Sequence, residues 1–242
     1  MFHWFTEQVQ YHTIKHYNLT KTTMKTALIT GANRGIGLEL AKQLLQKNFR
    51  VIVACRQSST ALEQLDCQIE TGFDVCDADS IQQLAKKLKN IQINLLINNA
   101  GLLQSMDLNH LDYEAIHQQF EVNTLGPLRV SENFLPLLKT GSKIIIITSR
   151  MGSIADGSGG QYGYRLSKTA VNMVGSCLAH DLKSRGIAVA LLHPGYVRTG
   201  MTGNQGLIDA DVSAKGLIQR IDELKLETTG GFWHADGTQL PW

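Results

Sequence analysis

Within Tyr162-Gly-Tyr-Arg-Leu-Ser-Lys168, Tyr164 and Lys168 stand four residues apart at the start of a helical-looking stretch, so both side chains leave one helix face. A phenol beside an ammonium is an acid with a built-in activator. An isolated tyrosine titrates near about 10, and a neighbouring cation favours the phenolate and lowers that value. A lowering of about two to three pH units would be worth roughly 3 to 4 kcal/mol. Tyr and Lys at this spacing also occur on ordinary surface helices, so the rest of the chain has to supply the site. Tyr162, the other phenol of the run, lies six residues from Lys168 and points elsewhere on the helix.

Far upstream, Lys25-Thr-Ala-Leu-Ile-Thr30 reads as a short strand and leads into Gly31-Ala-Asn-Arg-Gly35-Ile-Gly37. The apolar positions Ile36, Leu40, Leu44 and Leu45 then recur at helical spacing to residue 48, which places the glycines in a strand-to-helix turn. Without Cβ atoms such a turn closes tightly and lets backbone N–H groups and the helix N-terminus approach a pyrophosphate. Strand before and helix after is the context a dinucleotide site requires, although the spacing is Gly-x-x-x-Gly-x-Gly rather than Gly-x-Gly-x-x-Gly.

Strand-like and helix-like segments alternate from there on. Strands are predicted near 25–30, 50–54, 68–73, 93–98, 143–148, 187–193 and 231–235, and helices at 35–48, 77–89, 112–138, 162–184 and 210–223. This pattern predicts an α/β fold, a single-domain Rossmann-type doubly wound parallel sheet of about seven strands with helices on both faces. Right-handed crossovers bring the glycine turn, Asn98, Ser149 and Pro194 out on one side of the sheet. The cluster Gly157, Gly159, Gly160 and Gly163 reads as a loop between Ser149 and Tyr164 rather than as a domain linker.

Taken in order, these motifs resemble the short-chain dehydrogenase/reductase family from Met24 to Trp242. Thr30 to Gly37 matches the family's cofactor turn, Asn98-Asn-Ala-Gly101 its motif after the fourth strand, Asn123 its helix asparagine, and Pro194-Gly-Tyr-Val-Arg-Thr199 its segment after the sixth strand. The ending Gly230-Gly-Phe-Trp-His-Ala-Asp-Gly-Thr-Gln-Leu-Pro-Trp242 and the short segment after Thr199 are similar to the subgroup around the C-factor and sniffer-type carbonyl reductases. The resemblance implies a catalytic set of Asn123, Ser149, Tyr164 and Lys168: a proton from Tyr164, a carbonyl positioned by Ser149, a phenol activated by Lys168, and a water held by Asn123. The step from Ser149 to Tyr164 is two residues longer than the family's commonest form, and the excess falls in the glycine-rich loop.

For the cofactor, the resemblance implies contacts from Gly31, Asn33, Arg34, Gly35, Ile36 and Gly37, from Asp74 and Val75 at the adenine, and from Asn98, Asn99, Ala100 and Gly101. Tyr164 and Lys168 would reach the nicotinamide ribose, and Pro194, Gly195, Val197 and Thr199 the carboxamide and pyrophosphate. The second strand ends Ala54-Cys55-Arg56 with no carboxylate to accept from a ribose 2′-hydroxyl. Arg56 and Arg34 can fork onto a 2′-phosphate, so NADP(H) is preferred, with NAD(H) possible. The expected activity is reversible reduction of small aldehydes or ketones. The alternative, a non-turnover NADP-binding sensor, is usually marked by loss of the tyrosine or lysine, and both are present. Epimerase or dehydratase chemistry would call for a longer substrate region after the sheet.

At 242 residues, 43% hydrophobic and 18% charged, the chain suits one globular domain, and a formal charge of +2 without a basic cluster gives no reason to invoke nucleic acid. No apolar run approaches the roughly 18 residues of a membrane span. Cys55, Cys67, Cys76 and Cys177 form no C-x-x-C pair and read as buried thiols in a reducing compartment, three of them in or beside core segments, which suggests the cytoplasm. Residues 1–23 precede the pattern and read as a flexible or surface-packed extension, or as a misassigned start with Met24 the true one. His3, His12 and His16 in that leader are taken as solvated, and no metal site is expected. The family commonly pairs through its two long helices, so a homodimer or homotetramer is expected.

Overall fold

The computed structural model describes residues 24–242, so the leader and its three histidines lie outside the described residues. Seven strands form one wholly parallel sheet: β1 (Thr26–Thr30), β2 (Arg50–Ala54), β3 (Gln68–Glu70), β4 (Ile93–Asn98), β5 (Leu138–Ile147), β6 (Ala188–His193) and β7 (Phe232–His234). Their order is β3-β2-β1-β4-β5-β6-β7, so the winding reverses between β1 and β4 and opens a crevice beyond the carboxyl ends of those two strands.

The helices are α1 (Gly35–Gln46), α2 (Thr60–Glu63), α3 (Ala78–Lys87), α4 (Tyr113–Phe120), α5 (Gly126–Phe134), α6 (Tyr162–Leu182) and α7 (Ala210–Glu223). They cover both faces, which explains why the central strands are apolar at nearly every position. Alternate strand residues serve the two layers. Ala27, Ile29, Val51, Val53 and Ile145 pack under Leu40 and Leu44 of α1 and Leu217 and Ile221 of α7. Leu28, Ile52, Leu96, Ile144 and Ile146 pack under Ile81, Val130, Phe134 and Val171 of α3, α5 and α6. Each fully buried Leu or Ile contributes about 1.5–3 kcal/mol relative to exposure, so the helices are held to the sheet chiefly by these stripes.

Several boundaries differ from the sequence expectation. The helix predicted over 112–138 is three pieces, because a π-helical turn, Glu121–Leu125, separates α4 from α5 and a 3₁₀ turn, Leu135–Leu137, follows. β3 stops at Glu70, which leaves Asp74 in the following loop rather than at a strand end. β5 begins at Leu138, where Leu138 pairs with Ile93 and Ser142 Oγ donates to the Ile93 carbonyl at 2.9 Å. Of the four cysteines only Cys55 is buried; Cys67 is half-buried, Cys76 and Cys177 are exposed, and all four are free. Among the described residues no helix is long and apolar enough to cross a membrane, and no group of three or more His, Cys, Asp or Glu side chains could hold a metal ion.

Candidate active site

The glycine turn sits over the crevice and is fastened to β4. Gly31 has φ +67°, and a Cβ there would meet Ala100 Cα at 2.8 Å, so the two chain segments approach as closely as backbone allows. Asn99 Nδ2 donates to the carbonyls of Thr30 and Gly31, each at 3.0 Å, and Thr30 Oγ1 accepts from the N–H groups of Asn99 and Ala100 at 3.1 Å. Asn33 ties the turn to the end of β2: its Nδ2 donates to the Gln57 carbonyl at 3.0 Å, and its own carbonyl accepts from Ser59 Oγ at 2.6 Å. The twelve-residue α1 starts with no side-chain cap and no acidic residue in its first turn, so its first N–H groups are left without a side-chain acceptor at the turn.

The other predicted cofactor residues gather around this turn. Thr199 lies 3.5 Å from where a Cβ of Gly35 would stand, so the segment Pro194–Thr199 after β6 closes over α1. Gly101 backs onto Asn123, whose Oδ1 is 3.4 Å from the corresponding Cβ position, and Val75 packs against Gly126 at the start of α5. Asp74 is half-buried, its Oδ1 accepting from the Cys76 N–H at 2.9 Å and its own N–H donating to Ser80 Oγ at 3.1 Å. Asn98 is buried, with Nδ2 donating to Ser131 Oγ at 3.1 Å and Oδ1 left without a partner. Arg34 and Arg56 are exposed, and among the described residues neither guanidinium has an ion-pair or hydrogen-bond partner.

Asn123 stands in the π turn, where the Gly126 N–H reaches back five residues to the Glu121 carbonyl. Its side chain is fully occupied: Oδ1 accepts from the Leu102 N–H at 2.7 Å, while Nδ2 donates to the Leu102 carbonyl at 2.7 Å and to Ser167 Oγ at 3.0 Å. It therefore stitches the chain after β4 to α6. Ser149 follows β5, its Oγ accepts from the Met151 N–H at 3.1 Å, and it lines the same cavity as the Tyr164 phenol.

Lys168 is only 4% exposed, and its Nζ donates to the Ile147 carbonyl at 3.0 Å, leaving two N–H groups without a protein acceptor. The ammonium lies 5.6 Å from the centre of the Tyr164 ring. Burial pushes the lysine down to about 8 and the tyrosine up to about 12, with Ser149 pulling the phenol back slightly. Burial thus holds the Tyr164 phenol above its usual value, opposite in direction to the lowering expected from a neighbouring ammonium. Desolvation penalises both charged forms, and at this separation the cation does not outweigh it.

Tyr164 and Ser149 open onto a cavity of about 910 Å³. Met151, Tyr196 and Met201 line it. Sequence reasoning missed His193, Arg165 and the Arg150–Asp156 ion pair on the same wall. His193 ends β6 with a buried Nδ1 that has no partner; burial, then the nearby His234 and Arg150, push its ring down to about 3. Arg165 laces the glycine-rich loop, donating to the Gly159 carbonyl at 3.1 Å and to Ser158 Oγ at 2.7 Å. Gln161 holds the left-handed φ of +50° at the foot of α6, a conformation costly for a side-chain-bearing residue and common where strain is kept at a site.

Comparison with known proteins agrees with this arrangement. The chain is 42% identical, over 90% of its length and all of the relative's, to 1-hydroxy-2-glutathionyl-2-methyl-3-butene dehydrogenase of Rhodococcus sp. (strain AD45). The solved structure of the carbonyl reductase Sniffer of D. melanogaster superposes with a TM-score of 0.84 at 32% identity, covering 90% of this chain and 100% of that one. An NADPH-bound carbonyl reductase from chicken fatty liver gives 0.83 at 31%, covering 90% and 99%. Residues 25–207 match the family model described as short chain dehydrogenase, and with the seven-stranded sheet and the Ser149, Tyr164, Lys168 constellation in place, the chain belongs to the short-chain dehydrogenase family of oxidoreductases.

Proposed function

We propose that the protein is an NADP-dependent reductase of small aldehydes or ketones, reversible as an alcohol dehydrogenase, with Tyr164 as general acid. The observation that carries the reading is the Tyr164 phenol beside Ser149 at the wall of a cavity, with the buried Lys168 ammonium 5.6 Å from the centre of its ring. A phenol held near about 12 keeps its proton at neutral pH, the form needed to quench an alkoxide.

The residues present fit a phosphorylated dinucleotide. The uncapped N-terminus of α1 and the glycine cradle suit a pyrophosphate, and the two spare N–H groups of Lys168 suit vicinal ribose hydroxyls. The unpartnered Arg34 and Arg56, with no carboxylate ending β2, suit a 2′-phosphate, in line with the NADPH-bound relative. When bound, the nicotinamide supplies the hydride. Ser149 donates a hydrogen bond to the substrate carbonyl oxygen, and Tyr164 passes its proton to that oxygen. Lys168 then steadies the phenolate until a proton returns by way of the buried polar groups around Asn123 and Ser167. Residues 24–242 form the catalytic domain. We infer a homodimer or homotetramer in the cytoplasm, paired through exposed Tyr113, Phe120, Leu128, Leu166 and Met173 on α4 to α6.

The test is absorbance at 340 nm with NADPH or NADH and a panel of small aldehydes, ketones and diketones. The expected result is NADPH-dependent turnover that Tyr164→Phe lowers by at least about 100-fold without loss of NADPH binding. Tight NADPH binding without turnover on any carbonyl would favour the sensor reading instead.

A further inference from the structure

The far wall of the cavity is the loop from Ser153 to Gln161, of which Ala155, Asp156, Gly157 and Ser158 face the substrate space. On its inner side this loop is held by Arg165 and by the Arg150–Asp156 pair. Its outer side is held by a residue that takes no part in lining the cavity. The Trp242 main-chain carbonyl accepts from the Ala155 N–H at 2.8 Å and from Ser153 Oγ at 3.0 Å, and Ser153 Oγ in turn accepts from the Asp156 N–H at 3.0 Å.

Trp242 is delivered there from the last strand. The Leu240 N–H donates to the Phe232 carbonyl of β7 at 2.9 Å, Leu240 packs with Leu191 and Phe232, and the Trp242 indole stacks on Phe232 with ring centres 5.4 Å apart. The anchor is nonetheless light. Trp242 is 50% exposed, and Ile154, between its two partners, is 79% exposed. The loop it restrains has positive φ at Gly159 and Gly160 and open space where their Cβ atoms would be. A segment with few buried contacts and glycines at one end is held only by such polar ties, and on its outer side these two bonds are the tie.

We propose that residues 240–242 are a strap that positions the substrate wall, making Trp242 a positioning residue that sets how wide a carbonyl substrate the cavity accepts. This rests on the reductase reading for its kinetic consequence, but not for its structural one. With the strap in place the wall presses toward Ser149 and Tyr164 and a small carbonyl is held in register. With the strap detached the wall swings outward on its glycines, and small substrates lose a contact surface that large ones do not need.

The decisive experiment is amide hydrogen exchange on the full chain and on a variant lacking Pro241 and Trp242, with kinetics on propanal and on a wide aromatic aldehyde in parallel. Exchange in 153–158 is expected to quicken about tenfold or more while β6 and the body of α6 are unchanged. For propanal KM should rise about fivefold or more at nearly constant kcat, for the wide aldehyde much less, and NADPH affinity should stay the same. Ser153→Ala should give a partial effect, and Trp242→Phe, which keeps ring and carbonyl, should restore wild-type behaviour. Unchanged exchange in 153–158 would overturn the proposal, and so would an equal rise of KM for both aldehydes. If the wild-type protein reduced no carbonyl while exchange quickened as stated, the reductase reading would fall and the strap would stand.

Discussion

Lys168 offers a test in which stability and function pull apart. Its ammonium is buried, keeps one hydrogen bond to the Ile147 carbonyl, and has no carboxylate beside it among the described residues. Burial lowers its pKa from 10.5 to about 8, which at about 1.36 kcal/mol per pH unit costs the folded protein about 3 kcal/mol wherever the lysine is charged in both states. Lys168→Met keeps the length and removes the charge. Against that gain stands the Ile147 carbonyl, left without its donor at a cost of about 1 kcal/mol. The cofactor-free variant should therefore be more stable than wild type by about 2 kcal/mol at pH 7, about 4 to 8 °C in Tm for a domain of this size. Because the folded pKa is depressed below the unfolded one, wild-type stability is gained as pH rises from about 8 to 10.5 and lost as pH falls through that window. The advantage of the variant should shrink across it and reverse by about 1 kcal/mol above it. Urea unfolding of both proteins at pH 7, 9 and 11, followed by circular dichroism, reads the difference directly. A variant less stable than wild type at pH 7, or a difference flat with pH, would refute the reasoning. Carbonyl reduction should be lost in the same variant, since stability is spent at this position on function.

Three further outcomes follow from the geometry. Arg56→Asp should lower the NADPH-over-NADH preference in kcat/KM by about 10- to 100-fold, because one charge-assisted hydrogen bond is worth about 1.5–3 kcal/mol and the new carboxylate repels a 2′-phosphate; an unchanged ratio would remove Arg56 from the cofactor site. His193, held near about 3, should show no change in its ring carbon resonance between pH 8 and 5, and its contribution to stability, fully present above about 6.5, should be lost progressively as pH falls from there through about 3; a resonance midpoint near 6.5 would contradict its burial. Gly37→Ala should destabilise by more than about 2 kcal/mol and abolish NADPH binding, since the added Cβ would sit 2.5 Å from Asn99 Nδ2 and 2.7 Å from Ala32 Cα; thermal melts and a fluorescence titration with NADPH check both.

The order of elements was readable because the fold writes it in apolar periodicity: Lys143 to Thr148 and Ile187 to His193 are buried on both faces and look it. What escaped was set by contacts distant in sequence. Nothing in Phe120-Glu-Val-Asn123 announces a π turn, which is fixed by Asn123 bonding to Leu102 and Ser167. Nothing in Leu138 to Ser142 looks like a strand, and its pairing with β4 rests on Leu138 and on the Ser142 hydroxyl at Ile93. His193 carried no periodic or spacing signal; only the end of β6 at the cavity marks it. The cysteines were misjudged for a related reason, since Cys177 belongs to a helix whose buried stripe passes through Val171, Gly175 and Ala179 instead.

The spacing of Tyr164 and Lys168 announced a shared helix face, but spacing says nothing of dielectric. One physical cause, removal from water, moves the two groups in opposite directions: the phenol to about 12 and the ammonium to about 8. At pH 7 both still hold their protons, which on the proposed reading sets the site up as an acid, with the phenol at the cavity and the cation behind it. On that reading carbonyl reduction would start from this state, whereas alcohol oxidation would start from a phenolate that the buried site disfavours. Among the described residues Ser149 is the neighbour that pulls the phenol back toward its usual value, so on the proposed reading it would serve the acid as well as the carbonyl.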